Sequence, residues 1–265
     1  VRLYTDIDPF CCEVLRARVA DGGLLPGEVW ERDIKTLTAE ELKPFTQVHL
    51  FCGIGAMPLG LEWGGFPPDI SIITGGFPCQ DISNAGNMEG IEGERSGLWS
   101  EMCRLVCELR PRFALVENVS ALLARGIGRV LGDLADCGYD AEWDCYTASE
   151  LGFPHIRERI FILAYPAGIG WDIPDDPAPV VSSRDCISHL KQPGYRWERQ
   201  AGGHSLERVG WSIVPDIRGS DDGIPFGMER CRAIGNAIVP QCVEVIARAI
   251  MQTATREVGI KESKQ

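Results

Sequence analysis

The chain has 265 residues, 45% of them hydrophobic, and a formal net charge of −12 at pH 7. That length supports one substantial core with a small appended lobe, while the acidic balance argues against a surface built mainly to hold polyanions. No apolar run approaches the length of a membrane span and no signal pattern opens the chain, so a cytoplasmic protein with no membrane partner is expected.

Net charge does not exclude a local arginine-lined cleft for phosphates; it predicts weak non-specific binding that fades quickly with salt. The start at Val1 rather than a methionine is the one expected of a fragment or a trimmed chain. Eleven cysteines occur with no CxxC pair. Cys11-Cys12, Cys103/Cys107 and Cys231/Cys242 lack the company of further ligands, so no metal site is expected. Most sit among apolar residues at helical spacing and read as reduced core thiols.

Val1 to Asp8 reads as a strand ending in acidic residues, Asp6 and Asp8. Pro9 suits the first turn of a helix, whose periodic positions Phe10, Val14, Leu15 and Arg18 run to the stop at Gly22-Gly23. A second strand around Glu28–Trp30 ends at Arg32-Asp33-Ile34. Thr38 to Leu42 has the pattern of a capped helix, with Glu41 three residues after Thr38. Val48 to Leu61 then gives strand, glycine-rich turn (Phe51-Cys52-Gly53-Ile54-Gly55) and helix, the layout of a nucleotide-type cofactor site in a doubly wound sheet. Carboxylates at strand ends, here Asp6 and Asp33, can accept hydrogen bonds from a ribose and an adenine amine. Taken singly, each Asp is equally a turn or cap residue; the glycine turn favours a site.

Ile70 to Thr74 is rich in β-branched apolar residues, as in a strand buried on both faces. Gly75-Gly76 ends it, and Phe77-Pro78 leads to Cys79, followed by Gln80, Asp81, Ile82 and Ser83. Glycines allow a sharp bend or close approach and Pro78 fixes φ before the sulfur. A core cysteine needs neither, so Cys79 reads as a presented thiol. Asn84 to Gly97 is polar and glycine-rich, with the character of an active-site lid. Leu98, Trp99, Met102, Leu105, Val106 and Leu109 form one face of a helix, and Arg112–Val119 a buried strand ending in Glu117-Asn118. A helix over Gly128–Ala135, a strand over Tyr139–Tyr146, and a strand over Ile160–Ala164 after Arg157-Glu158-Arg159 follow. From Pro166 to Phe226 the periodicity fades into Pro, Gly, Asp, Ser and Trp. The core pattern resumes near Met228, where Gly235-Asn236 leads into a helix with Val239, Val243, Ile246 and Ile250 on one face.

Together these pieces resemble the C5-cytosine DNA methyltransferases over most of the chain. Phe51–Gly55 is similar to their S-adenosyl-L-methionine motif, Gly75–Ser83 to the nucleophile motif, and Glu117-Asn118-Val119 to the ENV motif. Arg157-Glu158-Arg159 is similar to the following arginine pair, and Gly235-Asn236 to the closing motif. The resemblance implies a doubly wound, mostly parallel α/β sheet of Rossmann-like type with a small irregular recognition lobe. Residues 1–165 and 228–265 would form the catalytic domain and 166–227 the target-recognition region. It implies Cys79 as nucleophile, Glu117 as acid, Arg159 as anion holder and Arg157 as its support. Phe51, Gly53, Gly55, Asp6, Ile7, Asp33, Ile34, Pro78, Leu98 and Asn236 would hold the cofactor; Gly76, Gln80, Ser83 and Asn118 would shape the nucleophile loop. Double-stranded DNA is the implied substrate, a cognate restriction endonuclease a candidate partner, and a monomer the expected state.

The chemistry requires such residues. Cytosine C5 is a poor nucleophile until a group adds at C6, for which a thiolate is suited. A carboxylic acid at N3 relieves the charge that develops, and a duplex hides these atoms unless the base is flipped out.

Three departures from the family stand out. Asp6 and Asp33 precede the glycine turn instead of following it, as in a phage- or prophage-type variant. A parallel sheet can keep its strand order under that reshuffle if the crossovers suffice, and Lys35–Gln47 is long enough to return. His49, Ala56 and His155 replace a carboxylate, a glycine and a glutamine that are common in the family. The recognition segment is short and acidic. Two other readings remain at this point: the same chemistry on transfer RNA, and a non-catalytic cofactor- and nucleic-acid-binding homologue.

Overall fold

The computed structural model describes residues 1–78, 98–151, 153, 157–168 and 233–262. Seven strands form one sheet in the order β2-β1-β3-β4-β5-β7-β6. They are β1 (Arg2–Asp6), β2 (Glu28–Glu31), β3 (Gln47–Leu50), β4 (Ile72–Gly76), β5 (Phe113–Val119), β6 (Tyr139–Thr147) and β7 (Glu158–Pro166). The pairs from β2 through β5 are parallel, while β7 runs antiparallel to both β5 and β6. The fold is thus the expected mixed α/β sheet, parallel except at one edge.

Alternation along the strands explains the two layers of helix. Leu3, Val48, Ile73, Ala114, Val116, Ile160 and Ile162 face one apolar cluster that takes in Trp99, Met102 and Leu105 of α4 (Leu98–Leu109) and Val130 and Leu134 of α6 (Ile127–Asp136). Ile72, Phe113, Leu115 and Phe161, one residue out of step, face the other side. There they meet Met57 and Leu61 of α3 (Ala56–Trp63) and Val243, Ala247 and Ile250 of α7 (Pro240–Glu262). A period of two places successive side chains on opposite faces, so both faces of these central strands are buried.

The early acidic strands fit this sheet without disturbing it. β1 lies between β2 and β3, parallel to both, with Tyr4 opposite His49 and Val29. The chain leaves β2 at the sheet edge and returns past β1 to β3. On the way it makes a 3-10 turn (Ile34–Thr36) and α2 (Ala39–Leu42). Thr38 caps α2 with the expected reciprocal box: its hydroxyl accepts from Glu41 N and the Glu41 carboxylate from Thr38 N. α1 (Pro9–Ala20) is capped by Asp8, whose carboxylate accepts from Phe10 N.

Four structural findings extend or correct the reading from sequence. A one-turn helix α5 (Leu122–Arg125) precedes α6 and was not foreseen. The stretch Ala233–Met251 is, by length and composition, apolar enough to cross a bilayer, contrary to the expectation of no such run. Its Cys242, Val243, Ile246, Ala247 and Ile250 are buried, and a Cβ at Gly60 or Gly64 of α3 would meet its backbone and side chains at under 3 Å. This is a core helix pressed closely onto α3. Third, Cys107 and Cys137 are joined as a disulfide, whereas most cysteines were expected to be reduced core thiols; Cys11, Cys12, Cys52, Cys103, Cys145 and Cys242 are outside any disulfide. The reason is spatial, since α4 and the end of α6 place side by side two residues 30 apart in sequence. Finally, the recognition region 166–227 lies, but for its first three residues, outside the described residues.

Candidate active site

The C-terminal ends of β1, β2, β3 and β4 surround a cavity of about 400 Å³, within the usual range for small-ligand sites. Its lining includes Asp6, Ile7, Asp33, Ile34, Phe51, Pro78 and Leu98, seven of the ten residues expected to hold a cofactor. Their convergence follows from topology: ligands in open parallel sheets sit beyond the carboxyl ends of the strands.

Asp6 joins the two halves of this site. Its Oδ2 accepts from Gly53 N at 2.7 Å and its Oδ1 from Asp8 N at 2.9 Å. Asp33 accepts from Lys35 N and so caps the 3-10 turn. Gly53 and Gly55 have φ of 54° and 83°, in the left-handed region glycine tolerates. A Cβ at Gly55 would also approach Leu24 to 2.6 Å. Phe51, at φ 49°, is a non-glycine residue held in that region, a local cost of the kind found at functional turns.

The sequence reading missed Arg32, Lys35 and Leu50 in the lining, and two further residues that bear on the site. Thr5 lines the cavity, and its Oγ1 is buried without a hydrogen-bond partner. Arg18 of α1 donates to the Ile54 carbonyl at 2.8 Å and so pins the glycine turn. Thr5 adjoins Asp6 at a strand end, a faint signal; Arg18 was visible only as one position of a periodic helix face. Gly53, Gly55 and Asn236 are not among the residues lining the cavity. Asn236 is exposed, beside Gly235, whose carbonyl accepts from Arg157 at 2.9 Å. His49, despite replacing a carboxylate, is a core residue: it is buried, stacked on Tyr4, and in contact through Nδ1 with Thr74 Oγ1 at 2.8 Å. Burial holds its pKa down at about 3, so the ring is neutral.

The second centre lies at the end of β5. Glu117 is opposite Gly76 on β4 and Phe161 on β7, with Val119 opposite Arg159. Arg159 Nε sits 3.0 Å from Glu117 Oε1. Burial pushes the Glu117 carboxyl up to about 7, against the opposing pull of Arg159 and Arg157. Asn118 Nδ2 donates to the Phe77 carbonyl at 3.1 Å, while the Phe77 ring is buried against Trp99. The segment entering Cys79 is therefore held from β5 and α4. Arg157 and Arg159 line a further cavity of about 650 Å³ with Phe153, Ile238 and Gln241. Cys79, Gln80, Ser83 and His155 lie outside the described residues.

Gly76 shows how tightly this centre is built. A Cβ there would stand 2.5 Å from Glu117 Oε2. A Gly76→Ala variant is expected to lose about 1–3 kcal/mol of stability, measured by urea unfolding, because the buried carboxyl must move off Arg159.

Comparison with known proteins bears on the family resemblance. Residues 64–194 match the family model of the C-5 cytosine-specific DNA methylases. The match begins after α3, so it leaves out β1, β2, β3, the Phe51–Gly55 turn and α3 itself, and it ends before α7. Type II methyltransferase M.NgoFVII of Neisseria gonorrhoeae is 38% identical over 109 residues, covering 40% of this chain and 29% of that protein. Type II methyltransferase M2.BsuMI of Bacillus subtilis is 29% identical over 233 residues, 67% of this chain and 57% of that protein. A crystal structure of a putative DNA modification methyltransferase from an E. coli prophage superposes with a TM-score of 0.41 at 24% identity, covering 63% of this chain and 40% of that one. The chain spans between about a quarter and a little over half the length of such curated relatives.

Proposed function

We propose that this chain, whose residues 64–194 carry the C-5 cytosine-specific DNA methylase domain, transfers a methyl group from S-adenosyl-L-methionine to C5 of cytosine in double-stranded DNA. The observation that carries the proposal is Glu117: a buried carboxyl held near neutrality, paired with Arg159, beside the strand that leads to Cys79. A group poised near the working pH is what general acid catalysis requires.

The first cavity suits the cofactor. Asp6 and Asp33 offer carboxylate acceptors for ribose and adenine amine, and the orphaned Thr5 hydroxyl offers a further hydrogen bond. The cofactor would supply an electrophilic methyl on a sulfonium. A Thr5→Val variant, nearly isosteric, is expected to bind it about 3–10-fold more weakly, as isothermal titration calorimetry would measure, with thermal stability held.

In the proposed reaction the target cytosine is flipped from the duplex. The Cys79 thiolate adds to C6, and the electron pair moves into the ring. Glu117 places its proton at N3, and Arg159 holds O2 while Arg157 steadies the segment around it. After C5 is methylated, a base, acting through water, takes the C5 proton. The electron pair of that bond restores the ring double bond as the Sγ–C6 bond breaks, returning the Cys79 thiolate, and the N3 proton passes back to the Glu117 carboxylate. Gln80 and Ser83 would hydrogen-bond within the nucleophile loop, and Asn236 would approach the cofactor from the segment before α7. The names of the Type II relatives support a cognate restriction endonuclease as partner, and we assign monomeric action. Radiolabelled cofactor incubated with DNA and with RNA, wild type beside Cys79→Ser, tests the reading. Label in DNA, lost without the thiol, is expected; label in RNA alone overturns the DNA assignment, and label in neither overturns the enzyme.

A further inference from the structure

Cys103 and Cys107 stand one turn apart on α4, and Cys137 caps the C-terminus of α6. Their three sulfurs lie within 4.8 Å of one another, with Cys103 Sγ 3.7 Å from Cys137 Sγ. None of the three takes part in the reaction proposed above. We propose that, once the Cys107–Cys137 disulfide is reduced, this triad binds a thiophilic d10 cation, zinc(II) or copper(I), as a three-thiolate site joining α4 to α6.

The geometry suits such an ion once reduction lets the Cys107 and Cys137 sulfurs part. Sulfurs sharing one ion with bonds of about 2.3 Å sit about 3.8–4.0 Å apart, and the Cys103–Cys137 spacing is close to that. Thiolate ligands select zinc and copper(I) over the harder divalent cations. The surroundings carry both signs. The C-terminal end of α6 presents the negative pole of its helix dipole, where Arg110 donates to the Cys137 carbonyl, and Asp133 and Asp136 act on Cys103 alongside Arg129. The Asp133 carboxylate is already engaged by Trp99 Nε1 and Arg129, so three sulfurs are the protein donors. Copper(I) is satisfied by three; zinc adds a water. Cys103 is buried while Cys107 and Cys137 are half-buried, which leaves the ion a way in.

The chemistry balances simply. Opening the disulfide takes two electrons and two protons from a dithiol reductant, which is itself oxidised to a disulfide. The three thiols then give up protons to solvent as they take the ion. Because Leu98 at the start of α4 lines the cofactor cavity, an ion fixing α4 on α6 would also stiffen that wall.

The test uses the full chain, reduced and stripped of metal without air, then loaded separately with zinc(II), copper(I) and the spectroscopic probe cobalt(II). About one equivalent of zinc or copper should survive gel filtration, cobalt should give a thiolate charge-transfer band, and zinc should shield Cys103, Cys107 and Cys137 from maleimide in peptide mapping. Cys103→Ser and the Cys107→Ala/Cys137→Ala pair should each weaken uptake at least about tenfold, with Cys145→Ala unchanged. The proposal is overturned if the reduced wild type retains neither ion, or if uptake persists in a Cys103→Ala/Cys107→Ala/Cys137→Ala chain. Absence of maleimide protection in the wild type overturns it without reference to how any variant folds.

Discussion

A Cys79→Ser variant is expected to lose methyl transfer by a factor of at least about 10³, the order seen when a covalent nucleophile is removed, while binding cofactor as the wild type does. A hydroxyl at this position is essentially never ionised near neutrality, whereas a thiol offers a small but highly reactive thiolate fraction. The approach to Cys79 is held in place: Asn118 bonds the Phe77 carbonyl, Phe77 lies against Trp99, and Pro78 fixes the backbone. Five other cysteines of the described residues are poorly suited to substitute. Burial raises the thiols of Cys12 and Cys103 to about 11 and that of Cys242 to about 12, and raises Cys52 and Cys145 as well. Iodoacetamide at neutral pH should therefore modify Cys79 before any of these, as read by peptide mass spectrometry. Covalent capture on 5-fluorocytosine DNA should occur with wild type and vanish in the serine variant. Capture that persists in that variant would remove Cys79 from the mechanism.

Much of the site was legible because its signals are local. Glycine turns, strand-end carboxylates, and apolar runs at period two or at helical spacing each follow from the chain's own geometry, so Asp6 and Asp33 could be set beside the glycine turn from the residues themselves, while Phe51 and Leu98 came only with the family resemblance. The place of the early acidic strands was legible for the same reason: parallel pairing constrains neighbours in space, and the Lys35–Gln47 link had length enough to reach β3. What escaped depends on contacts between distant segments. Nothing in β7's own pattern tells that it runs antiparallel to β5. Cys137 meets Cys103 and Cys107 only because α6 ends beside α4. Thr5 gained meaning only when its hydroxyl was found buried and unpaired beside the cavity, and the role of His49 in the core became visible only in its stacking on Tyr4. The apolar length of Ala233–Met251, too, became intelligible only with α3 against it.

Glu117→Gln is expected to slow single-turnover methylation by about 10²–10⁴-fold and to change the pH dependence of both rate and stability. Glutamine keeps the shape and the neutral charge of the protonated acid but has no acidic proton to give. In the wild type the acid is progressively lost above about pH 7, where burial has placed its pKa, while the nucleophilic thiol gains from the same rise. The wild-type rate should therefore be bell-shaped with a falling limb near 7, and the variant should lack that limb. The stability signature has a definite sign. Below about 4.5 the carboxyl is protonated whether the chain is folded or not. Between about 4.5 and 7 the native state keeps a proton that the unfolded chain has shed, so wild-type stability falls as pH rises through this window and levels off above it. The shift from 4.5 to about 7 corresponds to at most about 3 kcal/mol. Urea midpoints measured near pH 5 and near pH 8 should thus converge in Glu117→Gln and differ in the wild type. If the two proteins show the same slope, Glu117 is already ionised in the folded protein. Arg159, 3.0 Å away, would then be holding a carboxylate, and the proton for cytosine N3 would have to come from another group.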